Sequence, residues 1–287
     1  MIEDNNKDRL KGIMSAIMAA ALWSTGGIFI KLVDWNPVAI AGTRSFVSAL
    51  ILLAYGGKPK FEKSKPQVYG AISYAATVLC YVIANKLTTS ANAILLQYTA
   101  PIFVAILGIW ILKEKVHSYD IISIIVVILG MLLFFVGSID SGNFMGNIVA
   151  ILSGLFLAGV TISLRMQRDG SGMETAVLGN ILTFLVSIPF IFGGLPDMKS
   201  MIVIAIMGVF QLGIAYIFYI NSMKYLSALE AILLTVVEPL LNPLWVFIFV
   251  GEKPGVYAIL GGIIVIASVT TRSVYISKKM KKINIEE

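Results

Sequence analysis

Scarcity comes first in this sequence. Among 287 residues there is one cysteine and one histidine, and only 13% of the chain is charged. The lone thiol, Cys80, rules out a disulfide framework. With His117 in a basic connection as the one imidazole, neither a zinc ligand set nor a nucleophile with its histidine base can be assembled. An enzyme is therefore not expected, nor are catalytic residues, metal ligands or a cofactor. Soluble domains run at about a quarter charged residues, so the low charge excludes that class as well. No TVGYG-like filter segment is present, which argues against a channel of that design. The net charge of +6 is spread over loops and chain ends without a basic helix face, so nucleic acid is not an expected partner.

What the chain has is apolar length. It is 58% hydrophobic, with a mean hydropathy of +0.89. Ten apolar segments fall near residues 12–33, 37–56, 67–86, 91–112, 119–138, 145–166, 173–193, 200–223, 228–250 and 255–276. Each is near the length of about 20 residues that crosses a hydrocarbon core of about 30 Å. The expectation is an all-α polytopic membrane protein of ten transmembrane helices, with the lipid bilayer as an obligatory partner. Basic residues crowd alternate connections: Lys7, Arg9 and Lys11, Lys58 to Lys65, Lys113 and Lys115, Arg165 and Arg168, Lys224, and Arg272 to Lys282. Only Lys31, Lys86, Lys199 and Lys253 fall on the other side. The positive-inside rule then places both termini in the cytoplasm and the protein in the inner or plasma membrane.

The segment 231–245, AILLTVVEPLLNPLW, breaks its own apolarity. At helical spacing Thr235, Glu238, Asn242 and Trp245 share one face, while Leu, Ile and Val cover the rest. A carboxylate at that depth costs a few kcal/mol if it faces lipid, so it points into a bundle or a wet cavity. Pro239 removes a backbone hydrogen bond beside it. Residues 93–101, AILLQYTAP, repeat this segment with five identities in nine at an offset of 138, and the same offset carries Tyr81 onto Tyr219 and Glu114-Lys115 onto Glu252-Lys253. Two five-helix units follow, residues 1–140 and 141–287. An odd span number makes the second enter the membrane inverted. The repeat is unequal at one position, with Ala100 where the second copy has Glu238.

Other polar residues line up inside spans: Arg44 and Ser48 in the second, Tyr74, Thr77 and Tyr81 in the third, Gln97 and Tyr98 before Pro101 in the fourth, and Gln211, Tyr216 and Tyr219 in the eighth. In the first span, Trp23 precedes Ser24, Thr25 and the close-approach glycines Gly26 and Gly27. Arg44 lies about 10 Å below one surface and Glu238 about 16 Å from the other, so in a core of about 30 Å the two charges lie at similar depth. A structural ion pair and a direct substrate role are both open for them. Paired, Glu238 stays ionised; alone, it is a proton site. Glu174 and Glu230 read as capping-box residues. Ala258 and Gly262 give the tenth span a small face for another helix or a second subunit. Monomer and homodimer are both compatible with that face.

The duplicated unit, the pattern AALWSTGGIFIK, Arg44 in the second span, and the motifs AP-x(12)-EK and EP-x(12)-EK together resemble the ten-helix EamA-type permeases of the drug/metabolite transporter superfamily. The resemblance implies a secondary carrier with a central cavity between the repeats, often moving amino acids or other small metabolites outward. The residues expected to form its substrate and ion site are Trp23, Arg44, Tyr81, Gln97, Tyr98, Gln211, Tyr216, Tyr219, Glu238, Asn242 and Trp245. Arg44 would attract an anionic group, and Glu238 would meet a substrate amine or carry a proton. An uncoupled facilitator or exchanger, a multidrug exporter and a membrane receptor or scaffold are the competing readings. Arg44 counts against an exporter of hydrophobic cations.

Overall fold

The computed structural model describes residues 2–57, 59, 61–62, 64–136, 143–170, 172–241, 245 and 255–286. In chain order the helices are α1 (Ile2–Trp23), α2 (Gly26–Leu32), α3 (Pro37–Gly56), α4 (Lys65–Leu87), α5 (Ser90–Gln97), α6 (Ala100–Ile111), α7 (Ser118–Phe134), α8 (Phe144–Met166), α9 (Gly172–Ile191), α10 (Met198–Ile206), a π-helical segment (Met207–Ile214), α11 (Ala215–Ser222), α12 (Ala228–Leu234) and α13 (Val256–Glu286). Among the described residues, eight helical stretches are long and apolar enough to span a membrane, and Ser118–Phe134 is a shorter apolar one. The protein is an all-α polytopic membrane protein. The ninth expected span is described from Ala228 to residue 241 and again at Trp245, so its length rests on the sequence.

Polar residues at the span ends start the helices. Asn36 Oδ1 accepts from Val38 N at 2.9 Å, with Pro37 in the first turn of α3, where its missing N–H costs nothing. Thr89 Oγ1 caps α5 through Asn92 N, and Ser227 Oγ caps α12 through Glu230 N. Glu230 does not complete the expected capping box. Its carboxylate pairs with Arg9, whose Nη2 also reaches Ser273 O and Oγ at 3.1 Å. A buried guanidinium outcompetes a backbone N–H for a carboxylate because the bond is charge-assisted. The Glu174 box involves Ser171, which lies outside the described residues.

Inside the bundle α4 packs on α8 and α9, α3 on α9 and on the π segment, α1 on α11, and α7 along α13. The small face of α13 is used within the chain. A Cβ on Gly261 would lie 2.4 Å from Phe134 N and 2.5 Å from Gly130 O, so these two helices meet backbone to backbone. The contact centres on Gly261, one residue from the expected Gly262. Outward-facing Phe46, Leu50, Ile72, Ile106, Leu129, Leu185 and Ile263 are exposed, as lipid-facing side chains are.

The expected Pro-associated breaks occur in the fourth span, between α5 and α6, and in the ninth, after α12. Two further irregularities accompany them. The first span breaks between α1 and α2, where Ser24 Oγ bonds back to Ala21 O at 2.6 Å and Thr25 Oγ1 to Leu22 O at 2.9 Å. Hydroxyls that take backbone carbonyls in this way compete with the helical ladder. The eighth span carries the π segment. All four irregularities contribute residues to one place in the bundle.

Candidate functional site

That place is a small cavity of about 40 Å³ lined by Trp23, Arg44, Thr77, Val78, Tyr81, Gln97, Leu157, Gln211, Leu212, Tyr216 and Glu238. Each break supplies a wall: Trp23 ends α1, Gln97 ends α5, Gln211 lies in the π segment, and Glu238 follows the turn after α12. A π turn widens the helix by one residue per turn, which re-aims the side chains it carries.

Arg44 is only 1% exposed. Its Nη1 donates to Gln211 Oε1 at 2.7 Å, and its Nε has no hydrogen-bond partner. Glu238, 6% exposed, accepts from Tyr98 OH at 2.9 Å. The same phenol lies 2.5 Å from Thr235 O. A phenol carries one proton, so it cannot donate fully to both oxygens. The Tyr98 hydroxyl is therefore shared between two acceptors, Thr235 O and Glu238 Oε2. The ion pair that the depths permit does not form: among the described residues Arg44 and Glu238 line one cavity, each held by a neutral amide or phenol.

The aromatic wall is built from tilted and edge-on ring contacts. The Trp23 ring lies 5.3 Å from Tyr216 and 4.9 Å from Tyr219, and Tyr74 lies 4.5 Å from Tyr216, distances typical of tilted aromatic pairs. Tyr219 stands behind Trp23 and is 2.8 Å from Thr161 Oγ1. Gln97 Nε2 donates to Ser153 Oγ at 2.8 Å, which fixes the amide against α8. Trp245 Nε1 donates to Ser24 Oγ at 2.7 Å and so ties the ninth span to the break in the first.

Seven of the residues picked from the sequence therefore line the cavity: Trp23, Arg44, Tyr81, Gln97, Gln211, Tyr216 and Glu238. Tyr98, Tyr219 and Trp245 stand one contact behind, and Asn242 lies outside the described residues. Val78, Leu157 and Leu212 were not picked, and apolar residues in apolar helices carry no signal that could have found them. Thr77 shares the helical stripe of Tyr74 and Tyr81, which was the available signal.

Gly26 makes the Arg44 geometry possible. A Cβ there would lie 2.4 Å from Gln211 Nε2, so Gly26→Ala must push the Gln211 side chain aside and take the acceptor from Arg44. We expect a loss of about tenfold in transport rate, the size of one charge-assisted hydrogen bond, with unchanged helix content by circular dichroism.

The EamA-like transporter family model matches residues 10–136 and again 144–273. "Uncharacterized transporter YxxF" of Bacillus subtilis is 28% identical, over 92% of this chain and 89% of its own. Human "Solute carrier family 35 member G1" is 23% identical over 90% of this chain and 77% of its own. A solved crystal structure at 15% identity superimposes with a TM-score of 0.77 over 94% of this chain and 98% of that chain, a likeness of fold. With the family model spanning both stretches and full-length relatives named as transporters, the chain belongs to the EamA-like transporter family of the drug/metabolite transporter superfamily.

Proposed function

We propose that this transporter is a secondary carrier that moves a small zwitterionic metabolite, of the amino-acid kind, out of the cell through the Arg44–Glu238 cavity. The observation that carries the reading is that one cation and one acid line the same buried cavity without pairing. Burying two unpaired ionisable groups costs more than burying a bound pair, and ligand groups that satisfy them recover that cost. Arg44 takes the substrate's anionic end through the donors that Gln211 leaves free. Glu238 faces the substrate amine or carries a coupling proton, and Trp23, Tyr81 and Tyr216 enclose the apolar part.

Residues 1–140 and 141–287 act as two inverted halves that rock about this site. The helix breaks at Trp23, Tyr98 and Thr235 support alternating access, because interrupted helices at mid-depth supply both binding groups and hinges. At about 40 Å³ the cavity has room for roughly three waters, so it must widen to admit a metabolite. Both termini face the cytoplasm of the plasma-membrane cell, on the strength of the lysine and arginine distribution.

The test is counterflow and net flux of amino acids and related zwitterions in proteoliposomes, with and without a pH gradient. Saturable flux inhibited by zwitterions is expected; saturable binding without flux would make the protein a receptor. Glu238→Gln keeps the shape of the side chain and removes its titration. Its flux should lose most of its response to the imposed gradient while exchange under equal pH persists. A gradient response equal to that of wild type removes Glu238 from coupling and leaves an uncoupled exchanger.

A further inference from the structure

Behind the helix that carries Glu238 lies a second cavity, a groove of about 330 Å³ between the first, ninth and last membrane segments. Ile13 and Ile17 of α1, Val237 and Leu240 after α12, and Val269 and Ser273 of α13 line it. Its α13 wall runs from Val265 to Val274, a rise of about 14 Å at 1.5 Å per residue. That is about half of a hydrocarbon core of about 30 Å, the depth of one leaflet. The walls are almost wholly aliphatic. The polar end is Ser273, which Arg9 contacts from α1.

The helix that forms this wall does not stop at the membrane surface. α13 has 31 residues, so at about 1.5 Å each it outruns the core by several turns, and the extension carries Lys278, Lys279, Lys281 and Lys282. A run of lysines directly beyond a membrane helix attracts anionic headgroups. Lys11, at the same end of α1, is also exposed. An apolar slot one leaflet deep thus ends at a basic helix extension.

We propose that the groove is a binding site for an anionic phospholipid of the leaflet on the basic face of the protein. One acyl chain lies between α1 and α13, and the headgroup phosphate meets the basic start of the α13 extension, where Lys278 is exposed. The bound chain packs against Val237 and Leu240, on the two sides of Glu238 in sequence, and supports the short helical stretch that resumes after the turn at Thr235. The site is distinct from the substrate cavity. Calling its leaflet cytoplasmic rests on the orientation proposed above, but the lipid chemistry does not.

Titration of detergent-purified full-length protein with phosphatidylglycerol or phosphatidylcholine of identical acyl chains, read by native mass spectrometry and by thermal shift, tests this without any flux assay. Phosphatidylglycerol is expected to bind about tenfold more tightly and to raise the melting temperature. Converting Lys278, Lys279, Lys281 and Lys282 together to Gln should abolish the preference and leave the helical core folded. Val269→Trp should fill the groove and weaken both lipids, while glycerol phosphate, a headgroup without a chain, should produce no shift. Equal affinity for the two lipids, a preference that survives the lysine variant, or full competition by glycerol phosphate would overturn the assignment. If Val269→Trp does not fold, the lysine variant and the glycerol phosphate arm still decide it.

Discussion

Arg44→Gln is expected to reduce the initial transport rate about 100-fold while leaving the melting temperature unchanged or slightly raised. The two halves of this expectation come from the same geometry. Arg44 is 1% exposed and anchored by one bond to Gln211, with Nε unmatched, so the protein leaves part of its guanidinium unsatisfied, and on the proposed function a substrate anion would complete it. Losing a charge-assisted contact to a substrate anion removes about 2–3 kcal/mol, which is roughly a hundredfold. Stability should not fall, because Glu238 is held by Tyr98 and is not orphaned when Arg44 goes. Arg44→Lys should rescue little, since an ammonium cannot reproduce the planar fork that Gln211 orients. Initial rates in proteoliposomes, set beside thermal unfolding of the same preparation, make the check. A rate loss matched by a large fall in melting temperature would make Arg44 a packing residue.

The sequence anticipated this site unevenly, for physical reasons. Helix placement was readable because a membrane span has to be long and apolar: residues 37–56 were expected, and α3 runs Pro37–Gly56. Arg44 and Glu238 were readable because ionisable groups at such depth rarely face lipid. The break at Trp23 was not, since Ser24 and Thr25 fit a membrane helix and bend it only through hydroxyls that turn back to Ala21 and Leu22. The π segment gave no local signal either. It depends on tertiary contact, where a Cβ on Gly208 would lie 2.5 Å from Val47 Cβ and 2.7 Å from Arg44 O. Glu230 misled because its capping position fits Ser227, while the partner it takes, Arg9, is distant in sequence and close only in the fold.

Ala100 and Glu238 hold matching places in the similar segments 93–101 and 231–239. Both positions sit next to a proline in a broken helix, yet only one carries a charge. In the fourth span the polar function is displaced to Gln97, held by Ser153, and to Tyr98, which reaches across to Glu238 and Thr235. The two broken helices are therefore tied by a phenol at the cavity, so movement of either one changes the environment of the single carboxylate.

At the basic face, Asp120→Ala is expected to cost about 3–5 kcal/mol of stability, the loss that follows when a buried ion pair is broken from one side. Arg272 donates to Asp120 Oδ1 from Nε at 2.9 Å and Nη2 at 2.7 Å, and the two side chains are 6% and 4% exposed. Asp120 Oδ2 also accepts from His117 N at 2.8 Å, which holds the start of α7. Removing this one carboxylate strands a guanidinium and a helix-end N–H together. Arg272→Ala leaves the second bond intact and should cost less. Asp120→Leu with Arg272→Met should recover most of the loss, since apolar residues of similar length replace a buried pair without stranding a charge. Chemical unfolding in a fixed detergent measures all three. A cost below about 1 kcal/mol for Asp120→Ala would mean that water from the adjoining 410 Å³ cavity screens the pair as it would at a surface. The full cost would instead make α7 and α13, already joined backbone to backbone at Gly130 and Gly261, one rigid unit beside the broken helices.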